Sequence, residues 1–372
     1  MFGYTGGGTD RVFASASYHL HGTGGVEKIS TANNNGTEAI NLTGDGGSQD
    51  IYGNAGANRL GDGGGAFADN LIGLGGNDSY VLTNRVSSTS GFSTKSQVYE
   101  AVGGGVDDVT VSGNWVATAG SEIEVIRITD GKQITGNGFS QTIYGNEDGN
   151  IFDGGGGNDT FYGADTGPNR GSAQALAHDN DQYYVEAGDH VVELAGIGWA
   201  GEGVDRVWAR TSYTLDAGSW VEQLTTSSAN GTAAIDLTGN ELYQMIYGNA
   251  GNNIIDGKGG SDELFGLGGA DSFAFTSALG AGNVDGLYDY QVGTDHILLD
   301  DSVFTGLAAG ALASGAFVAG TAALDADDRI IFDQATGRIF FDQDGSGGAF
   351  GAVEFAFVAN GQILTASDFT VI

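Results

Sequence analysis

The chain has 372 residues, of which 68 are glycine and one is proline, and 47 Asp and Glu against 13 Lys and Arg leave a net charge of −34 at pH 7. Average glycine usage is about 7%, yet collagen is excluded because glycine does not recur at every third position and proline is almost absent. The charge excludes nucleic acid and anionic membrane surfaces as partners, leaves divalent cations as the natural ones, and no stretch is long enough to span a membrane.

High net charge also favours disorder, but 40% of the residues are hydrophobic and they recur with a regular period. Such a chain folds once its carboxylates are neutralised. There is no cysteine, which fits either a cytosolic protein or a secreted one that stays unfolded and thiol-free until it leaves the cell. Met1 to Leu20 lacks the basic start and apolar run of a signal peptide.

In chain order, one module type occurs three times: "GGGTDRVFASASYHL" from Gly6, "GGGVDDVTVSGNWVA" from Gly103 and "GEGVDRVWARTSYTL" from Gly201. Asp10, Asp107 and Asp205 align. Each is followed by "VEKI", "IEVI" or "VEQL" and then by "IYGN". Around "IYGN" the sequence reads as nonapeptides, most cleanly in the third module: "GNELYQMIY", "GNAGNNIID", "GKGGSDELF", "GLGGADSFA". A glycine opens each row. The sixth position runs Gln49, Asn58, Asp69, Asp78 in the first module. It runs Gln141, Asn150, Asp159, Asp181 in the second and Gln244, Asn253, Asp262, Asp271 in the third. The eighth position is always apolar: Ile51, Leu60, Leu71, Tyr80; then Ile143, Phe152, Phe161, Tyr183; then Ile246, Ile255, Leu264, Phe273. Two rows carry insertions, a short one before Asp69 and a longer one before Asp181 that contains Pro168; both are expected as surface bulges.

The rows resemble G-G-x-G-x-D-x-U-x, the calcium-binding nonapeptide of RTX (haemolysin-type) proteins. "GGGGNDTFY" from Gly154 matches in full; "GLGGNDSYV" and "GLGGADSFA" match nearly so. Independently of the resemblance, glycine allows positive φ in a tight turn, and carbonyl and carboxylate oxygens suit Ca²⁺, which takes six to eight at about 2.3–2.6 Å. Positions seven to nine form a short strand whose eighth residue points inward. The expected fold is therefore all-β: a parallel β-roll or β-solenoid of Gly/Asp-rich rows with a C-terminal β-hairpin segment. Modules fall at 1–102, 103–200 and 201–275, followed by a C-terminal β segment, 276–372.

The resemblance implies that one coil uses two rows and that Ca²⁺ sits between turns two rows apart. The implied ligand groups are Asn58, Asp69, Gly73, Gly75 and Asp78 in the first module. In the second they are Asn150, Gly154, Gly156, Asp159 and Asp181. In the third they are Asn253, Gly257, Gly259 and Asp262, with Gly266, Gly268 and Asp271. Each site then pairs one carboxylate with one amide, such as Asn253 with Asp271 or Gln244 with Asp262. That charge count suggests binding in the roughly 10⁻⁴–10⁻³ M range of extracellular modules. The reading without metal is a glycine-turn solenoid with Asn and Gln ladders, which unneutralised stacked carboxylates disfavour.

Segments between the row blocks alternate apolar and polar residues and are expected as further coils. Trp208, Tyr213 and Trp220 are expected in the core or covering edges, with a glycan-binding surface as the alternative. After Ala274 the rows stop. "DADDRIIFDQATGRIFFDQDGSG" is expected as a hairpin around Ala335–Gly337. Asp342, Asp344 and Ser346 form an Asp-x-Asp-x-Ser run that reads as a polar turn, since it lacks the glutamate that closes an EF-hand loop. The final "LTASDFTVI" resembles the uncleaved signal read by type I secretion systems, which implies direct export to the medium and folding on exit, where calcium is abundant.

No H-E-x-x-H, G-x-S-x-G or G-K-[ST] occurs, and the histidines at 19, 21, 178, 190 and 296 are scattered. The expectation is a non-enzyme: a secreted or cell-surface structural protein of a layer, matrix or filament. The sequence begins part-way through a module, so an open first coil and end-to-end self-association are expected. The alternative is the carboxy-terminal secretion and folding region of a larger enzyme, toxin or adhesin.

Overall fold

A computed structural model describes residues 8–22, 25–65, 67–83, 96–163, 180–194, 203–359 and 361–372. The inserted segment containing Pro168 lies outside them, as does His178. Among the described residues the structure is nearly all β, and its helices are two single 3₁₀ turns, Ser314–Ala316 and Ala366–Asp368. The chain divides into two compact units. The first comprises residues 1–183, 188–192 and 196–203; the second comprises residues 184–187, 193–195 and 204–372.

In the first unit, successive strands alternate between two faces and pair in parallel with the strand two rows away, except that Gln97–Tyr99 and Trp115–Val116 do not pair with each other, so that one face is built from two sheets. Asp50–Tyr52 pairs with Asn70–Ile72, while Arg59–Gly61 pairs with Ser79–Thr83. Thr142–Tyr144 pairs with Thr160–Tyr162, so that Ile143 stands beside Phe161. The second unit repeats this: Met245–Asn249 pairs with Glu263–Leu267 and Ile254–Asp256 with Ser272–Phe275. Each unit is thus a parallel β-solenoid. A nine-residue row produces it because a strand of about three residues points one side chain inward, and a glycine turn then reverses the chain into the opposite sheet.

All twelve eighth-position residues are fully buried, at 0% exposure. They form the thin core between the sheets, in which Phe152 stacks on Tyr183 with ring centroids 5.1 Å apart. Burial of one such side chain contributes about 1.5–3 kcal/mol. Position nine faces outward and builds a second aromatic ladder in the second unit: Tyr247 on Phe265 at 4.5 Å and Phe265 on Tyr288 at 5.1 Å. Tyr213 is buried and Trp220 is exposed. Trp208 is half-buried, with the Arg206 guanidinium 4.9 Å from its ring centre.

The glycine spacing ends at Ala274, but the coil does not. Asp285–Leu287 and His296–Leu299 stack in parallel on the last rows. Gly310–Ala311 pairs antiparallel with Phe369–Val371, and Ile330–Asp333 and Arg338–Phe341 form an antiparallel hairpin in which Asp333 faces Arg338 across Gln334–Gly337. Val353–Val358 adds a third antiparallel strand. Phe369–Val371, within the sequence read as a secretion signal, pairs in parallel with His296–Leu299, and Phe369 and Val371 are buried.

Candidate metal centres in the solenoid turns

Four Asp-bearing turns, those of Asp78, Asp159, Asp262 and Asp271, share one backbone course. Positions two and four are left-handed: Lys258 (φ 68°) and Gly260 (φ 108°), Leu267 (70°) and Gly269 (120°), Leu74 (80°) and Gly76 (106°), Gly155 (92°) and Gly157 (103°). Leu74, Lys258 and Leu267 are the only non-glycine residues with positive φ among the described residues. Such a conformation costs about 1–2 kcal/mol for an L-residue with Cβ, so the turn persists because its surroundings enforce it. Position one needs glycine for space rather than for φ. A Cβ on Gly257 would strike the Asp262 carboxylate, one on Gly266 the Asp271 carboxylate, and one on Gly154 the Asp159 carboxylate. The aspartate folds back over the glycine that opens its own row.

The sixth-position side chains form columns along each solenoid. Oδ1 of Asp262 accepts the backbone N–H of Gln244 at 2.7 Å, and Oδ1 of Asp285 accepts that of Asp262 at 3.0 Å. In the neighbouring column Asp271 accepts from Asn253 at 2.8 Å and Asp295 accepts from Asp271 at 2.9 Å. In the first unit Asp159 accepts from Gln141 at 2.7 Å and Asp189 from Asp159 at 2.9 Å. Asp78 accepts from Asn58 at 2.6 Å and Asp107 from Asp78 at 2.7 Å. Asp181 accepts from Asn150 at 2.5 Å. Asp69 accepts from Gln49 at 2.6 Å, but the next member of its column is Ser96, whose Oγ accepts the Asp69 N–H at 3.2 Å.

The amide-bearing turns close on themselves. The Asn253 Oδ1 accepts the Asn249 N–H at 2.8 Å and its Nδ2 donates to the Ile235 carbonyl at 2.7 Å. Asn58 and Asn150 likewise accept from Asn54 and Asn146 at 2.7 and 2.8 Å and donate back to their side-chain oxygens. Gln244 does the same with Asn240. These amides meet the Asp turns through their backbone N–H, while their side-chain groups are committed within their own turns and, for Asn150 and Asn253, to a carbonyl of the preceding coil.

The carboxylates are not so satisfied. Asp78 and Asp262 are each 1% exposed, and in both Oδ2 is buried without a hydrogen-bond partner. Leaving such an oxygen unmade costs about 1–3 kcal/mol, more for a charged group. Burial pushes Asp262 up to about 8, with the Asp285 charge adding to it. Burial likewise raises Asp285, Asp271 and Asp69 to about 7, and it raises Asp295. Stacked, desolvated carboxylates held this way need either protons or a cation. The donor set is hard oxygen, and the shape is a glycine cradle that a single Cβ would fill. Both properties fit Ca²⁺.

The structure therefore brings together Asn58 with Asp78, Asn150 with Asp181 and Asn253 with Asp271, two rows apart. Gly73, Gly154, Gly257 and Gly266 lie against the carboxylates of their rows. Gly75, Gly156, Gly259 and Gly268, at position three, have no positive φ. Sequence reasoning did not assign Asp107, Asp189, Asp285 and Asp295, which close the columns, because each follows a turn of irregular length. The available signal was an aspartate directly after a glycine-containing turn, as in "GGGVD" and "VGTD". It also missed that Glu27, Glu124 and Glu222, in the "VEKI", "IEVI" and "VEQL" segments, accept the backbone N–H of the aligned Asp10, Asp107 and Asp205 at 2.7–2.8 Å.

The family model of the RTX calcium-binding nonapeptide repeat matches four copies, at residues 63–81, 135–165 and 245–274. The chain carries RTX calcium-binding repeats. The matched stretches contain Asp69, Asp78, Asp159, Asp262 and Asp271, and the last four of these fold their carboxylates over the glycine that opens their row. No curated protein matches the chain.

Proposed function

We propose that this is an exported RTX protein whose solenoid is completed by Ca²⁺ bound at its Asp turns, and that it acts outside the cell as a structural or interaction protein with no reaction of its own. The observation that carries this reading is the Asp262–Asp285 step: two buried carboxylates, one turn apart, with Asp262 Oδ2 unpartnered. Calcium would be held there, and at Asp271–Asp295 and Asp159–Asp189, by the carboxylates and the turn backbone. It supplies the positive charge that 13 basic residues cannot supply to 47 acidic ones. An ion that binds the folded turn alone stabilises it by mass action.

Type I export belongs to the same reading. In the folded chain Phe369 and Val371 are buried, so machinery reading that segment would meet it before folding, in a compartment where calcium is scarce. Assembly into a layer, matrix or filament is supported by Arg11–Ala14 and Tyr18–His19, which stand at the ends of their sheets and pair on one side among the described residues. Phe13 there is 67% exposed, and unpaired strand edges recruit further strands. Light scattering during calcium addition tests the assembly: a rise coincident with folding supports it, and a monomer at all calcium concentrations removes it.

A further inference from the structure

We propose that Asp78, Glu100 and Asp107 form a three-carboxylate calcium site that fills before the two-carboxylate turns. The proposal rests on the calcium reading above and deepens it, because Glu100 belongs to no nonapeptide row.

Ligand oxygens from all three side chains lie within 4.8 Å of one another. Two oxygens on opposite sides of a Ca²⁺ ion, each at about 2.3–2.6 Å, are separated by about that span. Asp78, Glu100 and Asp107 are 1%, 7% and 1% exposed. Asp78 Oδ2 has no hydrogen-bond partner, and it is aimed at the cluster: a Cβ placed on Gly73 would strike Asp78 Oδ2, Glu100 Oε1 and the Tyr80 hydroxyl together. Three oxygens thus surround one point above a glycine.

The remaining oxygens are fixed by other bonds. Asp78 Oδ1 accepts the Asn58 N–H at 2.6 Å and Asp107 Oδ1 the Asp78 N–H at 2.7 Å. Glu100 Oε2 accepts the Ala101 N–H at 3.1 Å, and the Tyr80 hydroxyl donates to Oε1. The Glu100 N–H donates to Ser121 Oγ at 3.2 Å. The carboxylates are therefore positioned before any ion arrives. At Asp262–Asp285 the nearby Asp256 carboxylate is committed elsewhere: it accepts the Thr276 hydroxyl at 2.6 Å and pairs with the Lys258 ammonium at 3.0 Å. More ligand charge in a rigid site means tighter calcium binding. Mg²⁺ fits less well, because it prefers to keep several waters and an octahedral shell at about 2.0–2.1 Å. The site also joins two modules, since Asp107 opens the second and reaches Asp78 across 29 positions of sequence.

Calorimetric titration of the decalcified full chain with CaCl₂ tests this. The wild type should show a tight class of site ahead of the weaker turns. Glu100→Gln should weaken that class at least tenfold and leave the weaker classes in place; Asp285→Asn should do the reverse. Wild-type crystals grown with substoichiometric Ca²⁺ give a readout independent of variant folding, and density is expected between Asp78, Glu100 and Asp107 before it is seen at Asp262–Asp285. Calcium uptake that Glu100→Gln leaves unchanged in every class, or density at Asp262–Asp285 first, overturns this site alone. No calcium uptake by the wild type overturns the general reading as well.

Discussion

The backbone N–H of Asp271 donates to Oδ1 of Asp295 at 2.9 Å, while Oδ1 of Asp271 receives the N–H of Asn253 at 2.8 Å. Asp271 thus caps the turn two rows earlier with one oxygen and turns the other over Gly266, while the second oxygen of Asp295 accepts the Gln291 N–H at 2.8 Å. Stacking the rows forces the second oxygens into a dry column. The fold creates a demand for cations in its Asp turns and not in its amide turns.

Substitutions in the two kinds of turn should therefore separate. Asp262→Ala and Asp271→Ala, and Asp159→Ala in the first unit, should each shift the midpoint of calcium-dependent folding several-fold upward. Asn253→Ala removes hydrogen bonds to Asn249 and to the Ile235 carbonyl and should cost about 1–3 kcal/mol in saturating calcium while leaving the number of ions bound unchanged. Calcium titrations of folding and denaturant titrations in millimolar CaCl₂ measure both. Equal calcium dependence for all four variants would contradict the distinction.

The opening glycines are expected to be as sensitive as the aspartates. Gly257→Ala puts a methyl group into the Asp262 carboxylate, whereas Gly268→Ala meets its nearest atom at 3.7 Å without positive φ. The first should abolish the calcium response of its turn; the second should change stability by less than about 1 kcal/mol. Calcium binding by the two variants, compared by calorimetry, decides the point.

Much of this was legible in the sequence. The eighth-position core followed from Ile246, Ile255, Leu264 and Phe273, because a nine-residue period leaves little freedom in which side chain faces inward, while the two-row coil and the sixth-position columns of Gln244, Asn253, Asp262 and Asp271 followed from the resemblance to the RTX nonapeptide. The full bonding of the amide turns was not legible, since the Asn253 bond to Ile235 depends on a coil eighteen residues earlier. Nor were Glu100 and Asp285, which the turns of irregular length carry into the columns although no row spacing predicts them.

Acidity should act on the calcium-free protein in an unusual direction. Burial raises Asp262 to about 8 and Asp271 and Asp285 to about 7, from an ordinary value of 3.8. Between the ordinary and raised values the folded state binds more protons than the unfolded chain, so stability falls as pH rises through that window. Without calcium the protein should be more stable at pH 5 than at pH 8. With calcium the order should reverse, because the ion needs deprotonated ligands and displaces their protons. Thermal melts at the two pH values, with and without EGTA, check the sign.

The core should respond independently of metal. Phe273 is fully buried, and its ring centroid lies 6.0 Å from that of Tyr290. Phe273→Ala should cost about 3–5 kcal/mol, read from denaturant midpoints in saturating calcium, without changing the number of ions bound.

Far-UV circular dichroism of EGTA-treated protein during a Ca²⁺ titration tests the central claim most directly. A transition from coil to β at about 10⁻⁴–10⁻³ M Ca²⁺, the range of extracellular modules, is the predicted result. A full β signal in EGTA that added calcium leaves unchanged would contradict the account, for the carboxylate columns would then stand without the ion.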